Sequence, residues 1–102
     1  MRELTMTDAA LRNLDEIFLY LSDRMDDLVR ARDIIEQLVE QCEKMAALPI
    51  LLGRPRDELS PGLRSFPFRG YMIFMIYRES ALEIVNILHG RRDIDAFFED
   101  DA

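Results

Sequence analysis

Apolar positions in the first half of this chain recur at helical spacing, and those in the second half alternate or run together as strands do. From Leu11 the pattern continues through Leu14, Phe18, Leu21 and Met25 in steps of 3, 4, 3 and 4, one stripe of a helix that Ile17 widens. A second stripe, Leu28, Ala31, Ile35, Leu38, Cys42 and Met45, steps by 3, 4, 3, 4 and 3. Thr7 is suited to cap the first helix, with Asp8 beside the positive end of its dipole, and Asp26 or Asp27 to cap the second. Two helices of about five turns joined by a few polar residues fold back as an antiparallel hairpin. Pro49 closes the second one.

Strand patterns flank this hairpin. Arg2–Met6 alternates polar and apolar and predicts a short strand. Gly53, Pro55, Pro61 and Gly62 punctuate an irregular connection carrying Arg54, Arg56, Asp57 and Glu58. Three strands follow at about 63–68, 71–78 and 82–89, with Arg69-Gly70 and Glu79-Ser80-Ala81 as hairpin turns of an antiparallel meander. Tyr71, Ile73, Met75 and Tyr77 share one face, which the pattern assigns to the core. Pro67 suits an edge or a strand end. Asp93–Phe98 reads as a short terminal helix capped by Asp93 that tucks Phe97 or Phe98 onto the core, and 99–102 as a frayed acidic tail. The expected architecture is α+β: an N-terminal helical hairpin packed on a small antiparallel β-sheet in a single domain, 1–102. One sheet face is covered by helices; the other is expected to stay partly open for partners.

Composition narrows the function classes. At 102 residues and 49% apolar, the chain has enough material for one core. No apolar run approaches the roughly 20 residues that cross a bilayer, and Met1–Thr5 shows no secretory pattern, so a cytoplasmic protein is expected. Cys42 is the only cysteine, which excludes an internal disulfide and a CxxC metal site. The net charge of −7 argues against general nucleic-acid binding, but it is unevenly spread: −5 over residues 1–47, +3 over 48–92 and −5 over 93–102. The bases of the middle section are all arginine, the residue that forks onto carboxylates and phosphates.

Recognisable catalytic chemistry is sparse. His89, the only histidine, has the right range for acid–base work, yet a histidine ending a strand before Gly90 equally serves as a structural hydrogen-bonder. No metal-ligand spacing, P-loop, GxGxxG or GxSxG occurs, so neither metal nor cofactor is expected. Arg64, Arg69, Arg78, Arg91 and Arg92 lie on or beside the strands, where they suit phosphates, an acidic partner or the chain's own carboxylates.

The order of short strand, helical hairpin, charged loop and three-stranded meander resembles the RelE/ParE superfamily of type II toxin–antitoxin toxins, and within it the ParE branch. The resemblance spans about residues 4–98 and rests chiefly on Gly53–Phe66 and on Ile84–Asp93, which ends His89-Gly90-Arg91-Arg92-Asp93. It implies a toxin that poisons DNA gyrase and is neutralised by a cognate, ParD-like antitoxin. RelE-type relatives instead cleave messenger RNA on the ribosome, using sheet lysines and arginines and an aromatic hydroxyl near the C-terminus. Here the strands hold no lysine, and Phe97 and Phe98 stand near that terminal position. Asn86 also occupies a place where the family frequently has arginine. On this resemblance Arg64, Arg78, His89, Arg91 and Arg92 are the expected target contacts, and Leu11, Phe18, Leu38 and Arg69 the expected antitoxin contacts. No catalytic residue is expected; in the alternative ribonuclease, Arg64, His89 and Arg91 would carry the reaction. A degenerate copy that only binds antitoxin is the third reading. Self-association of the free chain and a hetero-oligomer with antitoxin both fit.

Overall fold

Thr7 shows how the first strand and first helix are fastened together. Its Oγ1 accepts the amide of Ala10 at 3.0 Å, capping α1 (Asp8–Met25), and donates to the carbonyl of Val85 at 2.7 Å. One hydroxyl thus caps a helix and ties its start to the sheet. At the other end Asp26 takes a left-handed conformation, φ 51°, and its amide bonds to the carbonyl of Ser22. Asp27 then caps α2 (Leu28–Ala47) by accepting the amide of Arg30 at 3.1 Å. Of the two predicted cap candidates, Asp27 fills the role and Asp26 ends the preceding helix. The computed structural model describes residues 1–91, 94, 97 and 98.

The sheet has five strands in the order β1-β5-β4-β3-β2: β1 (Glu3–Met6), β2 (Arg54–Pro55), β3 (Arg64–Phe68), β4 (Tyr71–Tyr77) and β5 (Ala81–His89). The meander β3-β4-β5 stands as predicted, within a residue or so at each end. Two features differ from the expectation. β1 joins β5 in parallel, so the sheet is mostly rather than wholly antiparallel. The connection that parallel pairing requires is the helical hairpin, which delivers the chain to β2 at the far edge, followed by the strands that lead back across the sheet to β5. Within the connection read as irregular, Arg54 and Pro55 add a two-residue edge strand on β3. Register between β4 and β5 slips at Phe74/Met75, where Val85 is the extra residue on β5.

Both helices lie on one sheet face. Ala10, Leu14 and Ile17 from α1 and Leu38, Cys42 and Met45 from α2 meet Tyr71, Ile73, Met75, Leu82, Ile84 and Ile87. Leu38 is fully buried there, so it offers no surface to an antitoxin, contrary to the sequence expectation. The α1 stripe is also turned: Leu11 is 49% exposed, and Ala10 and Asn13 face the sheet instead. The cause is polar, because Asn13 bonds into β5, as described below. Leu28, first in the predicted α2 stripe, is 65% exposed at the tip of the hairpin.

The opposite sheet face is not left open. Leu63, Phe74, Leu88 and Phe98 form a second cluster, with Leu59, Met72, Ile76, Val85, Ile94 and Phe97 packed against it. Phe98 sits edge-on to Phe74 at 4.9 Å and to Phe97 at 5.2 Å, as the terminal aromatic was expected to do. The expected Asp93 cap, Arg92 and the 99–102 tail lie outside the described residues. No described helix is long and apolar enough to cross a membrane.

Candidate functional site

Two chain reversals bring the basic residues at one end of the sheet together. Arg69 and Gly70 both have positive φ, 51° and 85°, the pairing that a tight two-residue hairpin between β3 and β4 demands. The amide of Gly90 donates to the carbonyl of Gly70 at 2.9 Å, and a Cβ on Gly90 would stand 3.1 Å from that oxygen. The turn and the end of β5 are therefore held side by side. Exposed Arg69, His89 and Arg91 share this end of the molecule.

His89 lies opposite Tyr71 in the ladder, and the two rings meet edge-on at 5.6 Å. Its Nδ1 accepts the amide of Arg91 at 3.2 Å, which assigns the neutral ring's proton to Nε2. Behind these residues a cleft of about 460 Å³ opens between α1 and the sheet. Asn13, Glu16, Ile17 and Tyr20 line it from α1; Tyr71, Ile87, Leu88, His89 and Arg91 line it from the strands. Burial, and secondarily the nearby Tyr20, pushes the Tyr71 phenol above its ordinary range.

The remaining candidates are elsewhere. Arg78 is at the far end of β4 and β5, ion-paired with Glu83 at 3.0 Å. Tyr71 and Tyr77 bound that strand, so the two ends stand about 20 Å apart. Arg64 is half-buried and engaged by its own chain. Its Nε and Nη2 donate to the carbonyls of Leu52 and Gly53, both at 2.9 Å, strapping the loop after α2 to the sheet. Gly53 is locked in the same place, since at φ 83° a Cβ would stand 2.8 Å from the Ser65 carbonyl oxygen. Arg56 completes this corner, bonding to Ser65 Oγ at 3.2 Å and pairing with Glu58 at 2.8 Å. Its hydrogen bond holds the Glu58 carboxyl below the usual carboxylate range.

The structure thus joins His89 and Arg91 with Arg69, separates Arg78, and gives Arg64 an internal role. Of the hairpin residues expected to meet an antitoxin, Leu11 is exposed, Phe18 half-buried and Leu38 enclosed. Glu16 and Tyr20, which line the cleft, escaped the sequence reading. Their signal was present: with Asn13 they step by 3 and 4 along one helix face beside the apolar stripe.

Comparison with known proteins extends these observations. Residues 4–94 match the family described as the ParE toxin of type II toxin–antitoxin system, parDE. Over 91 residues the chain is 30% identical to Toxin ParE1 of Mycobacterium tuberculosis, in strains CDC 1551 and H37Rv, covering 88% of this chain and 91% of the relative. A solved chain from the chromosomal ParDE TA system of P. aeruginosa shares the fold with a TM-score of 0.77 at 21% identity, over 87% of this chain and 96% of that one. With the match running from β1 to Ile94, this chain belongs to the ParE toxin family of type II toxin–antitoxin systems.

Proposed function

We propose that this chain arrests growth by poisoning DNA gyrase, that it does so by binding rather than by catalysis, and that a cognate ParD-like antitoxin neutralises it. Family membership along nearly the whole chain is the observation that carries this reading. The target-facing surface is the exposed basic end, His89-Gly90-Arg91 with Arg69; Arg92 is next in sequence. An acidic surface on the target complements it, in a protein whose remaining surface is largely negative.

The geometry favours binding over ribonuclease chemistry. Arg64 stands opposite Met75 and His89 opposite Tyr71, so along the sheet direction alone they are about 13 Å apart. The Arg64 guanidinium is also occupied by two backbone carbonyls. Near the C-terminus Phe98, which has no proton to transfer, is packed on Phe74. A reaction needs its acid, base and phosphate clamp within hydrogen-bond reach of one scissile group.

The test is a supercoiling and DNA-cleavage assay with purified gyrase, this chain and a titration of the product of the neighbouring antitoxin gene. Loss of supercoiling with trapped cleaved DNA, relieved by the antitoxin, is the expected result. Undisturbed gyrase together with cleaved messenger RNA on induction would replace this reading with the ribonuclease one.

A further inference from the structure

The cleft between α1 and the basic end of the sheet has its own chemistry. Its floor is apolar, made by Ile17 and Ile87, and Tyr20 and Tyr71 flank it. Tyr20 is 51% exposed: the Arg24 guanidinium stands over one face of its ring at 5.1 Å, and the rest of the ring is accessible to something not part of this chain. The two walls carry opposite charges, Glu16 on the helix and Arg91 on the strand side, and neither is ion-paired among the described residues. Asn13 spends its Oδ1 on β5, which leaves its amide nitrogen as the remaining polar atom of that side chain.

We propose that this cleft seats a segment of the antitoxin in which a large apolar or aromatic side chain stands next to a carboxylate. The apolar side chain fills the floor between Tyr20 and Tyr71, and the carboxylate meets Arg91. At about 460 Å³ the cleft has room for an aromatic side chain and part of the backbone that carries it. Buried aromatic and arginine anchors of this kind dominate the energetics of protein interfaces. A nucleotide suits the cleft less well. Glu16 stands in its wall, in a chain of net charge −7, which opposes phosphate.

The proposal rests on the antitoxin part of the function proposed above and adds a means of neutralisation. A segment held here lies over His89 and Arg91, so antitoxin and target exclude one another directly. No conformational change of the toxin is required.

The full chain and the full-length antitoxin suffice for the test. Tyr20→Ala should weaken antitoxin binding by about tenfold to a hundredfold in titration calorimetry, and Arg91→Glu by a comparable factor. Leu19→Ala removes an equally exposed apolar neighbour, 66% exposed, that does not line the cleft; it should stay within about twofold of the parent. Circular dichroism melts establish that each variant is folded. Nitration by tetranitromethane provides a second readout, expected to label Tyr20 in the free chain and to spare it in the complex. Parent-like affinity of both Tyr20→Ala and Arg91→Glu, or equal nitration of Tyr20 with and without antitoxin, overturns the proposal. So does protection of Tyr20 by guanosine monophosphate and not by antitoxin. Binding is read here without gyrase, so a cleft-bound antitoxin on a chain that leaves supercoiling intact overturns the target assignment alone.

Discussion

Asn13 on α1 and Asn86 on β5, 73 positions apart, are joined by a 2.9 Å hydrogen bond from the Asn86 Nδ2 to the Asn13 Oδ1. The same oxygen accepts the amide of Ile87 at 3.1 Å, and both side chains are buried. This pairing sits next to the extra residue, Val85, that breaks the β4–β5 register. β1 pairs with β5 only as far as Ile84, and beyond that point Asn13 supplies the acceptor for the Ile87 N–H from the helix. The bond therefore sets how α1 lies on the sheet and fixes one wall of the cleft beside His89.

Replacing Asn13 with leucine keeps the branched outline of the side chain, though in a bulkier form, and removes the acceptor. The Asn86 amide and the Ile87 N–H would then be buried without partners, at about 1–3 kcal/mol each before relaxation. The expected loss of stability is about 2–4 kcal/mol, a fall in Tm of about 10–20 °C for a domain of this size. Thermal unfolding followed by circular dichroism measures it. A melting temperature equal to the parent's would remove the pair from any structural role.

Arg64→Ala is expected to act on stability before it acts on function. It withdraws two hydrogen bonds from a charged donor to the carbonyls of Leu52 and Gly53. The cost should be about 1.5–3 kcal/mol, and residues 48–53 should become the first site of proteolytic nicking. Arg64→Lys should recover less than half of it, because an ammonium cannot span two carbonyls as the guanidinium fork does. If Arg64→Ala leaves stability and cleavage pattern unchanged but removes gyrase inhibition, the arginine contacts the target after all.

Much of this architecture was legible because strong periodicity survives burial. The stripe Ile35, Leu38, Cys42 and Met45 and the shared face of Tyr71, Ile73, Met75 and Tyr77 pack as their spacing indicates. Other parts depend on contacts between distant residues, which spacing does not encode. The parallel pairing of β1 with β5 is decided by the meander, which carries the chain from the far edge back to β1. Leu11 is displaced from the core by the preference of Asn13 for a partner on β5. Leu38 was assigned to a partner because an apolar position on a helix reads the same toward a sheet of its own chain and toward another protein. Arg64 shows the same limit for charge: nothing local reveals that its guanidinium finds the carbonyls of Leu52 and Gly53.

The buried thiol makes stability fall with rising pH. Burial, helped by the charge of Glu43, pushes Cys42 up to about 12. In the unfolded chain a cysteine ionises near its ordinary value of about 8.5. Between these values the folded state holds a proton that the unfolded state has released, so stability declines as pH rises through the window and is unaffected below it. The slope from this one group approaches about 1.4 kcal/mol per pH unit. Tyr71, also raised, adds to the decline in the same direction at higher pH. Urea unfolding of the parent and of Cys42→Ala from pH 7 to 10.5 isolates the cysteine: the variant should show the shallower decline. Parallel curves would mean that the thiol is not desolvated, in which case it should also react readily with iodoacetamide in the native state.

The two ends of the sheet should separate in their effect on the target. Arg91 is exposed beside His89 and Arg69 and has no carboxylate partner among the described residues, whereas Arg78 is engaged by Glu83 at 3.0 Å on the opposite end. A surface pair of that kind is worth less than about 1 kcal/mol, so Arg78→Glu should barely alter folding, and Arg91→Glu should alter it no more. Both variants are thus clean probes of recognition. Removing a positive charge and adding a negative one opposite an acidic surface costs several kcal/mol at an interface, enough to abolish inhibition at micromolar toxin. Arg91→Glu should therefore lose gyrase inhibition and growth arrest while retaining its melting temperature. Arg78→Glu, about 20 Å away, should keep both activities. The reverse outcome would move the target surface to the Tyr77 end of the sheet, where Arg2 stacks on the Tyr77 ring at 4.7 Å. There the antitoxin cleft and the target surface would no longer overlap, and neutralisation by direct occlusion would lose its geometric basis.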